Sequence, residues 1–172
     1  MEIQILLLAL LPSVLVLLAG LLSYRYLANS LLRRDALQQS IETRKLTLPI
    51  RLQAYERLTL LMERISPESL LLRCMTGELT TKQYEGVLIA NIREEWEHNL
   101  SQQIYVSHEV WQLVCQAKGN VSKMITMCGD KVHPQSPAIE LSNMILAMLL
   151  EMSSHPTAAA LSALRGEASR LM

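Results

Sequence analysis

The 172-residue chain contains no phenylalanine, only two tryptophans and five tyrosines, three cysteines, six glycines and six prolines. Three cysteines are an odd and widely spaced set (Cys74, Cys115, Cys128), which excludes a disulfide framework and fits a reducing compartment. So few glycines and prolines exclude a multi-strand sandwich with its many tight turns. Sixteen Lys and Arg balance sixteen Asp and Glu, leaving no basic excess for nucleic acid and no acidic tail. In place of aromatic and β-branched residues there is abundant Leu and Met. Such unbranched side chains lose little rotamer freedom in a helix, so the composition predicts an all-α protein.

The most conspicuous feature is the apolar run Ile3–Ser23, in which Gln4, Ser13 and Ser23 are the only side chains with a polar group. About 20 residues at about 1.5 Å each match a hydrocarbon core about 30 Å thick, and transmembrane helices tolerate a proline such as Pro12. A cleaved signal peptide would carry Lys or Arg ahead of a shorter run. Here only Met1 and Glu2 precede it. The run therefore predicts a single transmembrane anchor over residues 1–26. Arg25, Arg33 and Arg34 follow it, and by the positive-inside rule they place the N-terminus outside and the rest of the chain in the cytoplasm. The three arginines are also candidate contacts for lipid headgroups. Residues 27–48 read as a basic helical stalk, with weak heptad spacing at Leu37, Ile41 and Leu48.

Residues 49–172 read as a cytoplasmic bundle of about five to six helices. Pro49 is expected to open a helix whose apolar stripe is Ile50, Ala54, Leu58, Leu61 and Ile65. Ser66-Pro67 and Ser136-Pro137 read as helix restarts, a hydroxyl at the N-cap before a proline. Thr80 with Gln83 reads as a capping box for a helix reaching about Tyr105, with Leu88, Ile89, Ile92, Trp96, Leu100 and Ile104 buried. Ser107 caps the next helix, built on Val110, Trp111, Val114, Val121, Met124 and Ile125 and ending at Gly129. Ile139, Leu141, Ile145, Leu149 and Met152 carry the helix after it, and an alanine-rich helix with Leu161, Leu164, Ala168 and Leu171 on one side closes the chain. Short connections predict antiparallel neighbours.

No catalytic or cofactor constellation stands out against a plainer reading. Glu95 and His98 share a helix face in the Glu-x-x-His pattern of di-iron bundles, but one copy supplies half a site. His108-Glu109 is followed by Gln112 where a zinc motif needs histidine. Cys115, Cys128 and His133 match no zinc module. There is no phosphate loop and no nucleophile elbow, and Ser107 and Ser136 are explained as helix caps. The polar stripe Glu95, His98, Asn99, Gln102 and Gln103 is richer in amides than a solvated face usually is, and it is the first candidate contact surface for a protein partner; Arg57 and Arg64 are the second.

The stretches Leu48–Arg73 (LPIRLQAYERLTLLMERISPESLLLR) and Ile92–Trp111 (IREEWEHNLSQQIYVSHEVW), together with the apolar run, resemble a family of small, membrane-anchored helical proteins of unknown function found in Bacteroidota. The resemblance covers most of the chain except its last third. It implies a bacterial inner-membrane protein facing the cytoplasm, and no active site comes with it. The reading is therefore a non-catalytic, membrane-tethered interaction or scaffold module, an accessory subunit of an inner-membrane assembly, binding a protein partner or a second copy and no cofactor. The alternatives are a metal-dependent enzyme or sensor assembled by dimerisation around Glu95 and His98, and a regulator sensing lipid through the basic stalk.

Overall fold

A computed structural model describes the backbone of residues 2–75 and 77–171, and the side chains of 15–27, 38, 42, 45–75 and 77–171. The chain is all-α among these residues. Helices α1 (Glu2–Arg64), α2 (Pro67–Cys74), α3 (Thr81–Asn99), α4 (His108–Gly129), α5 (Ala138–Glu151) and α6 (Ala158–Ser169) are joined by short links, with a 3₁₀ segment, Leu100–Ile104, after α3. The one β feature described is an isolated bridge between Thr80 and Pro137.

Two expectations about the N-terminal part need correction. Among the described residues no helix is long and apolar enough to cross a membrane, so the expected transmembrane helix over 3–23 is not upheld. The described side chains of that run are 15–23, which as helix cover about 13 Å, under half of a hydrocarbon core; the side chains of residues 3–14 lie outside the described set. Pro49, expected to start a helix, lies inside α1. Proline removes the bond to the carbonyl four residues back. Here both Pro49 and Lys45, the owner of that carbonyl, are exposed, so water can take the freed acceptor. Arg25 is exposed; Arg33 and Arg34 lie outside the described residues.

Contacts divide the chain into two units, residues 1–47 and 48–172. In the second, the last turns of α1 bury Ala54, Tyr55, Leu58, Leu61, Met62 and Ile65, while Ile50, expected on the same stripe, is exposed. α3 runs through the middle of this unit, against α2, α4 and α5, and α4 continues the contact to α5 and α6. Tyr84, Leu88 and Ile92 of α3 meet Val114, Val121 and Ile125 of α4, Leu141 and Ile145 of α5, and Leu164 of α6 in one continuous core.

The start of α3 shows how the unit is tied together. Its first four N–H groups have no partner within the helix, and each finds one. Thr81 donates to the Ser136 carbonyl (2.8 Å) and Lys82 to that of Pro134 (3.1 Å). Gln83 donates to the Thr80 hydroxyl (3.3 Å) and Tyr84 to the Thr80 carbonyl (2.9 Å). Gln83 Oε1 completes the expected capping box by accepting from the Thr80 N–H (3.1 Å). Ala138 N–H returns to the Leu79 carbonyl (3.0 Å), so α3 and α5 begin from one knot. Ser136 thus serves α3 through its carbonyl, and the N-cap position of α5 falls to Pro137. Ser66 does occupy the N-cap of α2, without a capping bond from its side chain. Gly77, at φ 68°, makes the left-handed turn between α2 and α3.

Candidate functional site

The five-residue polar stripe expected on one helix face does not persist as a face. His98 Nδ1 donates to the Glu94 carbonyl (2.8 Å) and Asn99 Nδ2 to the Glu95 carbonyl (2.8 Å), both four residues back in their own helix. The Leu100 N–H turns to the Glu97 carbonyl, three residues back, and α3 gives way to the 3₁₀ segment. The tighter winding turns Gln102 inward, where it is buried, while Gln103, Leu100 and Ile104 face out. Leu100 and Ile104, expected in the core, are exposed for this reason.

Glu95 is engaged within the domain. Its Oε1 accepts from Arg64 Nε (2.7 Å) and Arg73 Nη1 (2.7 Å), and Arg73 Nη2 also donates to the Arg64 carbonyl (3.2 Å). Partial burial pushes the Glu95 carboxyl up, but the two guanidinium groups outweigh it and hold the pKa below the usual carboxylate range. Arg64, a second-choice contact residue, is therefore an internal partner; Arg57 is exposed. Among the described residues no group of three or more His, Cys, Asp or Glu side chains is placed to hold a metal ion.

Beside this cluster Trp96 stacks on Trp111, ring centroids 5.0 Å apart and planes at 27°, with Lys118 Nζ 4.8 Å from the Trp96 centroid. Both tryptophans are half-buried and knit α3 to α4. All three cysteines are free. Burial pushes the thiol pKa of Cys74, Cys115 and Cys128 up.

A second carboxylate centre was not apparent from the sequence. Glu167 of α6 accepts from Tyr55 OH (2.6 Å) and the Ser107 N–H (3.1 Å) through Oε1, and from the Ser107 hydroxyl (2.6 Å) through Oε2. Arg51 lies 3.5 Å from the same Oε1 and donates through Nε to the Tyr105 carbonyl (3.1 Å). Ser107 still caps α4, accepting from the Val110 N–H (3.3 Å). Burial works against the Glu167 charge, yet the hydrogen bonds from Ser107 and Tyr55 hold its pKa below the usual range. Every group in this set is consumed by another member of it, as in a clasp joining α1, α4 and α6.

An apolar surface is left uncovered in the second unit between α2 and α5. Ile139, Leu146 and Leu150 recur at helical spacing along α5, and Leu72 and Met75 along α2. Leu72 is 85% exposed, Leu150 88% and Ile139 54%. Leu71, Leu72 and Met75 form one wall and Ile139, Asn143 and Leu146 the other, of a groove of about 400 Å³ with Glu68 at its end. Met75 and Ile139 also line an adjoining stretch of about 480 Å³ that reaches Glu78 and Gln135. The two helices run in opposite directions along it, since His155, just past α5, meets Glu68 at the start of α2 (3.1 Å). The sequence did carry a signal here. In α5 both the buried set, Leu141 and Ile145, and the exposed set, Ile139, Leu146 and Leu150, are apolar. That is more than the single stripe a surface helix needs. Ile139 and Met152 were expected in the core, and both are exposed.

The model of a family of unknown function, DUF7935, matches residues 1–171 of the chain. No curated protein and no solved structure matches it.

Proposed function

Because the chain belongs to this family of unknown function, its role has to be read from its own surface, and we propose that residues 48–172 form a non-catalytic helical interaction module that receives a protein partner in the groove between α2 and α5. The observation that carries this reading is the exposed apolar set Leu72, Ile139 and Leu146 lining one concave surface, with exposed Leu150 one turn beyond Leu146 on α5. Scattered exposed apolar residues need no explanation, but a contiguous and concave patch does. Two antiparallel helices with an open apolar seam offer the geometry that accepts a third helix. Glu95 and Glu167, by contrast, spend their carboxylates on hydrogen bonds within the domain. The scaffold role expected from the sequence is retained, with its contact surface moved from the Glu95–Gln103 stripe to the groove. A bacterial cytoplasmic setting belongs to the same proposal, supported by three free thiols.

Site-specific photo-crosslinking tests it. With a benzophenone side chain at Leu72, the full-length protein in its own cells should give a discrete higher-mass adduct. The same group at Lys123, an exposed position on α4, should give none. Equal labelling at the two positions, or none at Leu72, would remove the groove as a docking surface.

A further inference from the structure

Resting on that reading, we infer that the occupant of the groove is a basic amphipathic helix, one that lays an apolar stripe between α2 and α5 and sets Lys or Arg against an acidic rim. The charges bordering the groove are all of one sign. Glu68 lines one stretch and Glu78 the adjoining one, and no Lys or Arg lines either. Glu140 and Glu151 are exposed further round α5. In a chain with no net charge, such a grouping is local rather than a property of the whole.

The cationic side chains nearest in sequence are turned elsewhere. Arg73 of α2 reaches back to Glu95 and to the Arg64 carbonyl. His155, just past the end of α5, meets Glu68 Oε2 through Nε2 (3.1 Å) and Thr157 through Nδ1, the hydroxyl at 2.9 Å and the N–H at 3.3 Å. Complementary charge steers encounter and rejects like-charged partners, while the apolar seam supplies most of the contact area. α5 is 14 residues long, about 21 Å, so a partner helix of about four turns would span it.

The test uses the full-length protein and three fluorescein-labelled peptides of about four turns. One is amphipathic with Leu on one face and Lys on the other, one has Glu in place of Lys, and one has the Leu/Lys composition in an order that destroys the stripe. Anisotropy titration should show the amphipathic Leu/Lys peptide binding at least about tenfold more tightly than either of the others. Glu68→Lys with Glu78→Lys should reverse the preference between the Lys and Glu peptides. Leu72→Ser with Leu150→Ser, both highly exposed positions, should abolish binding while leaving the circular dichroism spectrum unchanged. Equal binding of the Lys and Glu peptides, still lost in the Leu72/Leu150 variant, would overturn the basic partner and keep the groove. Binding indifferent to Leu72 and Leu150 would overturn the groove itself. A homodimer dispersed by Leu72→Ser with Leu150→Ser, and not by the peptide, would overturn the basic helix in favour of a second copy.

Discussion

Replacing Glu167 with alanine is expected to lower the melting temperature of the helical domain by about 10 °C. The carboxylate collects bonds from Tyr55, from the hydroxyl and N–H of Ser107, and a longer one from Arg51. Hydrogen bonds to a charged group contribute about 1.5–3 kcal/mol each when isolated, with more lost when a half-buried donor is left unpaired. The groups share one centre and are partly wet, so their losses do not add, and about 3 kcal/mol in total is expected. For a domain of this size that corresponds to the stated shift. Glu167→Gln, which keeps the shape and one acceptor, should lose roughly half as much. The same pair reports on pH. Glu95 and Glu167 both have pKa values lowered in the folded state. Their contribution is fully present above the unfolded carboxylate value, about 4.3, and is lost as pH falls through the folded values. Urea midpoints of the wild type should therefore fall on acidification below about pH 4.3. Glu167→Gln, lacking one of the two titrations, should fall less steeply. Both carboxylates are partly solvated, so the slope should flatten in high salt. An unchanged midpoint in Glu167→Ala would show that the clasp contributes nothing.

Tyr84→Ala should be the more damaging change, by about 4 kcal/mol, and Tyr84→Phe should separate its parts. Tyr84 is fully buried in the first turn of α3, and its hydroxyl donates to the Leu71 carbonyl at 3.0 Å. Removing the ring leaves a cavity among Leu70, Leu88 and Leu141 that neighbouring helices can close only in part. Removing the hydroxyl alone leaves the Leu71 carbonyl with the Met75 N–H as its remaining donor (3.1 Å) and should lose about 1 kcal/mol. That carbonyl belongs to a wall of the proposed groove, so Tyr84→Phe should also loosen α2. Equilibrium urea unfolding measures both losses, and hydrogen exchange of residues 68–75 measures the loosening. If Tyr84→Phe destabilised as much as Tyr84→Ala, the bond to Leu71 would outweigh the packing, contrary to this account.

How far the sequence anticipates the fold depends on the range over which each signal acts. The Thr80–Gln83 capping box and the Ser107 cap involve residues three apart, and both form as read. The stripe of α4 is likewise local, and Val110, Val114, Val121, Met124 and Ile125 are buried. The polar stripe failed because it assumed an unbroken α-helical winding through Tyr105. The winding tightens at Leu100, whose N–H bonds the Glu97 carbonyl three residues back, which a pattern count does not register. The Glu167 clasp joins residues separated by as many as 116 positions, none in a recognisable motif. The groove failed to appear for a related reason. α5 is apolar on two sides, and only the placement of α2 and α3 decides which side is left open. The apolar run near the N-terminus matched a length rule, but the described residues contain no helix that meets it.

The central claim is that the surface between α2 and α5 is where this domain receives a helix. Hydrogen–deuterium exchange of the full-length protein, with and without the amphipathic Leu/Lys peptide, tests it most directly. The account predicts added protection in residues 68–75 and 138–151, with the Trp96–Trp111 face unchanged. Protection centred on residues 96–111, or spread evenly over the domain, would contradict it.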